Sequence, residues 1–535
     1  MDKRMLITAA LPYAEDKPHI GNLFTLVAAD VAAKFYKILG RETLFVTGSD
    51  EHGTPISLKA ELKKISPQEL VDENCRLLLE QLELLGIEPD SFARTSSELN
   101  KRLTQEIFLE LLRKGYIKLK ETLCYYDPVL QRFLPDRYVK GTCPYCGARD
   151  QYSDHCDACG RYLKTGEIKE PYSVLSGSKV ELRRVKHAFF DLSKVKPRLK
   201  QYIEQELEME EGLKKYVLEL LEKIDEWDIT RNMEWGTPVP LEELQDQVFY
   251  VWFDAPVGYL TAVLQLGEEK FRQYWQDAAY IIHIIGKDIV YHHAIFWLGM
   301  LLALEKYTLP RRIYAHGYIT LEHQKISKSR GHVLYADDFA RAGINPEYLR
   351  YYLATLHTGK VKDTDFSLQD FAAKINNCLV ADYANLCYRV LKLAETRLGG
   401  KLVKAELDEW LVKEYEHGVS EYLQFMQEFN FCEADKVLSR LAGVANKFLN
   451  EREPWKERNP AQTLYCAACA CAWLSTLYYP FIPKTALKVL GLLGVQQPSI
   501  KLVARPLELK EVRCERIAEK VPANLSLEFL RAARA

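Results

Sequence analysis

Apolar residues follow two rhythms along this chain. Residues 5–12 and 43–49 are short apolar runs that stop at turn residues, and each leads into a stretch of helical spacing. Such alternation predicts strand–helix units feeding a parallel sheet. Helical spacing covers about 66–118, including ENCRLLLEQLELLGI. Between 119 and 175 it fades, and Tyr, Asp, Pro, Gly and Cys dominate. A charge-rich helical stretch covers about 192–226, and alternation resumes in VFYVWFDAPVGYLTAVLQL, YIIHIIGKDIVYHHAIFWLGMLLAL and RRIYAHGYIT. From 368 to about 500 the spacing is helical almost throughout, the pattern of a bundle, and a short mixed tail follows. The predicted fold class is α/β: a parallel sheet interrupted by an insertion, with a helical bundle after it.

Composition narrows the function classes. With 48% hydrophobic and 27% charged residues among 535, several domains with large cores are expected, and disorder is not. Lys+Arg 72 against Asp+Glu 74 excludes a generally basic nucleic-acid coat while leaving room for a local RNA-binding patch. No run approaches the ~18 apolar residues of a membrane span. The opening MDKRMLITAALPYA lacks a small-residue cleavage site and reads as strand rather than signal peptide. Thirteen cysteines, several of them clustered, favour metal binding in a reducing cytosol over a secreted disulfide scaffold. The expected location is cytoplasmic.

Three motifs carry chemistry. Pro12 and Tyr13 lead to His19-Ile20-Gly21-Asn22 at the mouth of a predicted helix. The unpaired backbone N–H groups and positive dipole there suit a phosphate. Gly21 leaves room for a bulky ligand, and His19 and Asn22 can present donors on one face. By itself the stretch reads equally well as a capped helix with a surface histidine. The second motif, HQKISKSRGHV, sets Lys325, Ser327, Lys328 and Ser329 in a cationic loop after the last strand of the resumed sheet. Mobile positive charge there suits pyrophosphate leaving ATP. The third, CPYCGARDQYSDHCDACG, places Cys143, Cys146, Cys156 and Cys159 in two CxxCG turns. Four thiolates at this spacing close a tetrahedral zinc site with no open position, so its role is structural. His155 is an alternative ligand but is expected to be a bystander, and CAACAC at 466–471, which lacks a second pair, is expected to be core.

His19-Ile20-Gly21-Asn22 and Lys325-Ile326-Ser327-Lys328-Ser329 resemble the His-Ile-Gly-His and Lys-Met-Ser-Lys-Ser signatures of class I aminoacyl-tRNA synthetases. AALPYA, GSDEHGTP, EWDITR, YVWFDAPVGY, IIGKDIVYHHAIFW and AHGYIT resemble the methionyl-tRNA synthetase family in order and spacing, from about residue 5 to about 460. Two positions depart from the family pattern. Asn22 stands in place of the second histidine but keeps a donor, and His292 stands where an aromatic residue is frequent.

The resemblance implies a Rossmann-type catalytic domain split into 1–117 and 231–320 by a connective insertion, 118–230, that carries the zinc knuckle. A KISKS-loop and stem-contact region at 321–367 and a helical anticodon-binding domain with a short tail at 368–535 would follow. It implies catalytic roles for His19, Asn22, Lys325 and Lys328. ATP would meet Tyr13, His19, Gly21, Asn22, Gly286 and Lys328, with Asp288 at the ribose. Asp50, polar at a strand end, suits a substrate ammonium. Trp252, Ala255, Pro256 and Tyr259 suit an apolar wall against a thioether, and Leu11, Tyr13, Ile289, His293 and Trp297 match the remaining methionine positions. Asn385 and Arg389, one helical turn apart, and Trp455 match anticodon readers, in keeping with recognition of unpaired bases by stacking and edge donors.

The implied activity joins methionine to tRNA(Met), the initiator included, through a methionyl-adenylate made from ATP. One structural Zn²⁺, and Mg²⁺ with ATP, would accompany it. The chain ends before the C-terminal β-barrel many relatives carry, so a monomer is expected. Two rivals remain at this level. A class I enzyme for another aliphatic amino acid would need a large editing insertion, for which the stretch between Asn22 and Lys325 leaves little room. A catalytically silent tRNA-binding paralogue would have no need of His19, Asp50, Asp288, Lys325 and Lys328 together.

Overall fold

The computed structural model describes residues 4–328, 330–509 and 511–532. Ser329 of the second motif lies outside the described residues. Five parallel strands form the central sheet: β1 (Arg4–Ala9), β2 (Glu42–Ser49), β3 (Ser91–Arg94), β4 (Tyr280–Gly286) and β5 (Arg312–His316). Their order is β3-β2-β1-β4-β5, with Met5 beside Tyr280 and Arg4 beside Glu42. β1 and β4 are buried on both faces, which explains their unbroken apolar runs. The order reverses between β1 and β4. In such doubly wound sheets the crevice at that switch point, beyond the strands' carboxyl ends, is where ligands bind. Helix α1 (Ile20–Ile38) rises from it.

The stretch 66–118, expected to be helical, contains two helices, Pro67–Leu85 and Glu98–Arg113, with β3 between them. Gly86, left-handed at φ 61°, ends the first helix. Four residues give only two alternations, too few for β3 to show a period of its own. The weakly patterned stretch after 119 is β structure. Ile117–Asp127 and Glu181–Asp191 form a long antiparallel hairpin, registered from Ile117 opposite Phe190 to Tyr126 opposite Glu181. A small sheet of Val139–Thr142, Gln151–Tyr152 and Lys169–Ser173 lies between these strands in sequence and carries the cysteine turns. Helices Lys196–Gln205 and Glu211–Lys223 follow, then strand Glu226–Asp228 pairs onto the hairpin.

Beyond residue 368 come the helices Asn385–Leu398, Glu409–Gln427, Phe431–Arg452, Ala461–Tyr478 and Pro483–Leu492. Cys466, Cys469 and Cys471 are buried in the fourth of these, as core. One apolar cluster runs without a break from α1 into the bundle. A buried charge network crosses the same boundary. Asp30 of α1 pairs with Lys34 (2.7 Å) and Arg350 (2.6 Å), and Arg350 donates to the carbonyls of Pro480 (2.6 Å) and Phe481 (2.9 Å). Breaking one member of such a network leaves a buried charge uncompensated. The tail returns across the bundle: Asn376 exchanges two 2.8 Å hydrogen bonds with Val521, and the Glu519 N–H donates to the Tyr348 hydroxyl. Among the described residues no helix is long and apolar enough to cross a membrane.

Candidate active site

His19 caps α1 in an extended conformation (φ −103°, ψ 178°). Its Nδ1 accepts from the Gly21 N–H (3.0 Å), and its own N–H donates to Asn22 Oδ1 (3.0 Å). With Nδ1 accepting, the ring proton sits on Nε2. Burial and the nearby Lys328 lower the His19 pKa to about 4, so the ring is neutral at pH 7. Gly21 has a cause the sequence did not reveal. A Cβ there would lie 2.8 Å from His19 Cε1, so the glycine first admits the histidine ring.

The cationic loop is tied to the same helix mouth. The Ile20 N–H donates to the Leu334 carbonyl (3.0 Å), and Ser327 and His332 exchange backbone hydrogen bonds of 2.8 and 2.9 Å across a turn containing Gly331 (φ +69°). Lys328 Nζ lies 3.7 Å from Asp16, which Lys59 also holds at 2.5 Å. Burial pulls the Lys328 pKa down, Asp16 pulls it back and Lys59 adds to the fall. Lys325 stands apart from this group: it pairs with Thr320 in a short hairpin and is exposed. At the end of β4, Gly286 lets the Asp288 carboxylate approach its Cα, where a Cβ would meet Oδ1 at 2.7 Å.

Beside β1 and β2 is a cavity of about 20 Å³ lined by Ala10, Leu11, Asp50, Trp252, Ala255, Pro256 and Tyr259. That is room for about one water, so any larger group would need the lining to shift. Asp50 follows β2, held by backbone bonds to Pro12 (2.9 Å) and Ala14 (2.8 Å). It is 6% exposed, and its Oδ1 is buried without a hydrogen-bond partner. Burial, with the Asp254 charge adding to it, raises the Asp50 pKa well above the usual carboxylate range. Tyr13 packs its hydroxyl over Gly53, where φ is +111° and a Cβ would meet that oxygen at 2.6 Å.

The other pocket candidates stand around this cavity. His293 accepts at Nε2 from the Tyr259 hydroxyl (2.9 Å) and donates from Nδ1 to the Ile289 carbonyl (3.0 Å), neutral with a pKa lowered by burial to about 4. Trp297 is fully buried and donates to His283 Nε2 (3.2 Å). His292, one of the two departures, stacks on Trp252 with ring centroids 4.0 Å apart and planes 9° from parallel. His293 and Trp297 lie on a π-helical turn, His292–Trp297. Such wide turns recur at functional sites.

Sequence reading missed the layer beneath Asp50. His52 Nδ1 meets Asp254 Oδ2 at 2.6 Å, and Thr237 donates to the same oxygen at 3.0 Å. The available signal was Asp254, an ionisable residue inside the apolar run VWFDAPV; His52, in the polar stretch GSDEHGTP, gave none.

Far along the chain, Asn385 is exposed and the Arg389 guanidinium lies 6.0 Å from the centroid of Trp455, a ring 38% exposed. Arg389 also donates to Asn450 (2.8 Å), and Arg397 holds the Trp455 carbonyl (2.5 Å). In the insertion, the sulfurs of Cys143, Cys146, Cys156 and Cys159 all lie within 4.8 Å of one another. Cys143 and Cys159 are 3.9 Å apart, and Cys146 and Cys156 are 3.5 Å apart. Zinc–sulfur bonds of ~2.3 Å in a tetrahedron put sulfurs ~3.8 Å apart, so the thiolates fit a single metal ion. Gly147 and Gly160, at φ 73° and 72°, make the two matching turns. His155 lies outside the group and pairs with Asp157 (3.4 Å).

A doubly wound parallel sheet in this strand order, with a histidine-capped helix and a lysine loop meeting at its switch point, defines a class I tRNA-synthetase architecture. The family model for tRNA synthetases class I (M) matches residues 5–391. A methionine–tRNA ligase of Methanopyrus kandleri is 38% identical over 533 residues, covering 97% of this chain and 79% of its own length. That of Methanocaldococcus jannaschii is 38% identical over 518 residues, covering 95% and 78%. A solved Mycobacterium tuberculosis methionyl-tRNA synthetase in complex with methionyl-adenylate is 25% identical with a TM-score of 0.78, over 96% of this chain and 98% of that one. The chain belongs to the class I tRNA synthetases, in their methionyl family.

Proposed function

We propose that this protein is a methionine–tRNA ligase. The methionine carboxylate attacks the α-phosphorus of ATP, giving methionyl-adenylate and pyrophosphate. The acyl group then passes to the 3′-terminal adenosine of tRNA(Met). The observation that carries the reading is Asp50, a buried carboxylate with an unpartnered oxygen at an apolar cavity walled by Trp252 and Tyr259. A substrate ammonium satisfies that oxygen, and the ring faces suit a thioether.

Catalysis in this reading is positioning plus charge stabilisation. Neutral His19 donates from Nε2 to phosphate oxygen, Asn22 supports the same helix mouth, and Gly286 and Asp288 hold the ribose end. Lys328, with Lys325 on the adjoining hairpin, follows the leaving pyrophosphate. Mg²⁺ accompanies ATP and offsets phosphate charge when bound. Cys143, Cys146, Cys156 and Cys159 hold one Zn²⁺, which shapes the insertion and has no part in the chemistry. Asn385, Arg389 and Trp455 read the anticodon. The proposed division of labour follows the boundaries 1–117, 118–230, 231–320, 321–367 and 368–535, in a cytoplasmic monomer.

Methionine-dependent ATP–pyrophosphate exchange, with leucine, isoleucine and valine as comparisons, tests the assignment. Exchange is expected with methionine at concentrations where the other three give almost none. A response to leucine but not to methionine would overturn it.

A further inference from the structure

An open cleft in the insertion and at its C-terminal boundary contains a nucleophile that the ligase reaction leaves unused. It measures about 130 Å³, and its lining includes Cys124, His187, Asp228, Arg231, Asn232 and Phe133. Cys124 lies on the strand Ile117–Asp127, His187 on the strand paired with it, and Asp228 on the third strand of the same sheet. Cys124 Sγ is 3.7 Å from His187 Nε2. The opposite ring nitrogen, Nδ1, meets the Asp228 carboxylate at 2.9 and 3.1 Å, and Nε2 also meets Asn232 Oδ1 at 2.9 Å. Both ring nitrogens lie within hydrogen-bond distance of side-chain oxygens, an arrangement that a doubly protonated ring satisfies. Burial opposes that state, but Asp228 and Cys124 outweigh it and raise the His187 pKa to about 10. An imidazolium N–H at this distance is placed to stabilise negative charge on the sulfur as exchange proceeds.

We propose that Cys124 is a reactive thiol, organised by His187 and Asp228, that exchanges with small carboxylate-bearing disulfides entering this cleft. In the step, the Cys124 sulfur attacks one sulfur of R–S–S–R, a new S–S bond forms as the old one breaks, and RS⁻ leaves. No outside oxidant is needed, and a second small thiol reverses the exchange. Arg231 and His187 outnumber Asp228 in the lining, which favours an anionic partner. The Arg231 guanidinium is also 4.4 Å from the Tyr250 ring, two residues before Trp252, so the cleft adjoins the elements carrying the amino-acid cavity.

The chain supplies its own comparators. Outside the four-cysteine cluster, Cys378, Cys432 and Cys514 are, like Cys124, neither buried nor fully exposed, and burial raises the pKa of each of those three. Intact protein would be treated with oxidised glutathione at pH 7, and mixed-disulfide formation followed at each cysteine by peptide mass spectrometry. Cys124 is expected to react at least tenfold faster than the three comparators. His187→Gln should slow Cys124 about tenfold at pH 7 yet leave it within about threefold of wild type at pH 9.5, where an ordinary thiol ionises unaided. Faster labelling of all three comparators in that variant would signal unfolding, and the wild-type ranking then decides alone. Cys124 reacting no faster than Cys378, Cys432 and Cys514 in the wild type overturns the proposal, as does a folded His187→Gln protein with an unchanged pH profile.

Discussion

Replacing Asp50 with asparagine should make the ligand-free protein more stable and a much poorer enzyme. The side chain keeps its shape and loses its charge. Without substrate, the wild-type carboxylate is buried, has an unpartnered oxygen and feels Asp254 nearby. Because its folded pKa is raised, the folded chain holds that proton more tightly than the unfolded chain does. The associated stability is fully present below the unfolded carboxylate value and is lost as pH climbs through the raised folded value. At neutral pH the charge therefore subtracts from stability. An unsatisfied buried polar group costs roughly 1–3 kcal/mol, more when charged, so the variant should melt a few degrees higher. With methionine the sign reverses. Removing one partner of a buried ion pair costs about 3–5 kcal/mol, so the KM for methionine should rise by ~10²–10³ or more. Exchange kinetics against methionine concentration measure the second effect. Thermal melts with and without methionine measure the first, and only the wild type should be stabilised by the ligand. A variant whose KM stays within threefold of wild type would show that Asp50 does not meet the ammonium. A variant that loses activity and melts lower would make Asp50 a structural anchor.

Three further outcomes are expected. Protein purified without chelator should carry one Zn²⁺ by elemental analysis, and Cys143→Ser and Cys156→Ser should each weaken its retention and disorder the insertion while ATP binding persists, since folding of the knuckle is coupled to its metal; absence of zinc would refute the site. Lys328→Ala should slow adenylate formation by ~10²–10³ with little loss of ATP affinity, because a donor aimed at transition-state charge is worth about 3–4 kcal/mol; an unchanged single-turnover rate would leave Lys328 a loop charge. Trp455→Ala should leave ATP–pyrophosphate exchange within about twofold and cut tRNA charging ten- to a hundredfold, since a stacked base is worth roughly 1–3 kcal/mol; equal loss of both reactions in a destabilised protein would make the ring structural.

Local chemistry was legible in the chain, and tertiary chemistry was not. The helix mouth at His19 and the paired cysteine turns are continuous stretches whose spacing dictates their geometry. The bundle was legible because its helices are long, most showing several turns of amphipathic spacing and one, Ala461–Tyr478, a long apolar run buried on all sides. β3 has four residues and no resolvable period. The hairpin of the insertion is exposed along much of its length, so its alternation is diluted by charge. His52–Asp254 and Cys124–His187–Asp228 each join residues far apart in sequence, and nothing local marks them. Gly21 was legible as a needed glycine, but the ring that occupies its missing Cβ came only with the fold.

The order in which the central sheet is threaded has a consequence for how the protein is made. β1 is the middle strand, yet one of its two neighbours is β2 and the other is β4, whose first residue is Tyr280. A ribosome adding ~5–20 residues per second needs roughly 15–55 s between Met5 and Tyr280. Throughout that interval one edge of an apolar strand has no partner, the condition that invites pairing with other chains. The insertion folds during the same wait, because its hairpin and cysteine turns close within their own sequence. The open edge of β1 is closed only by β4, so the hazard of mispairing ends when that strand is made, whatever the state of the insertion.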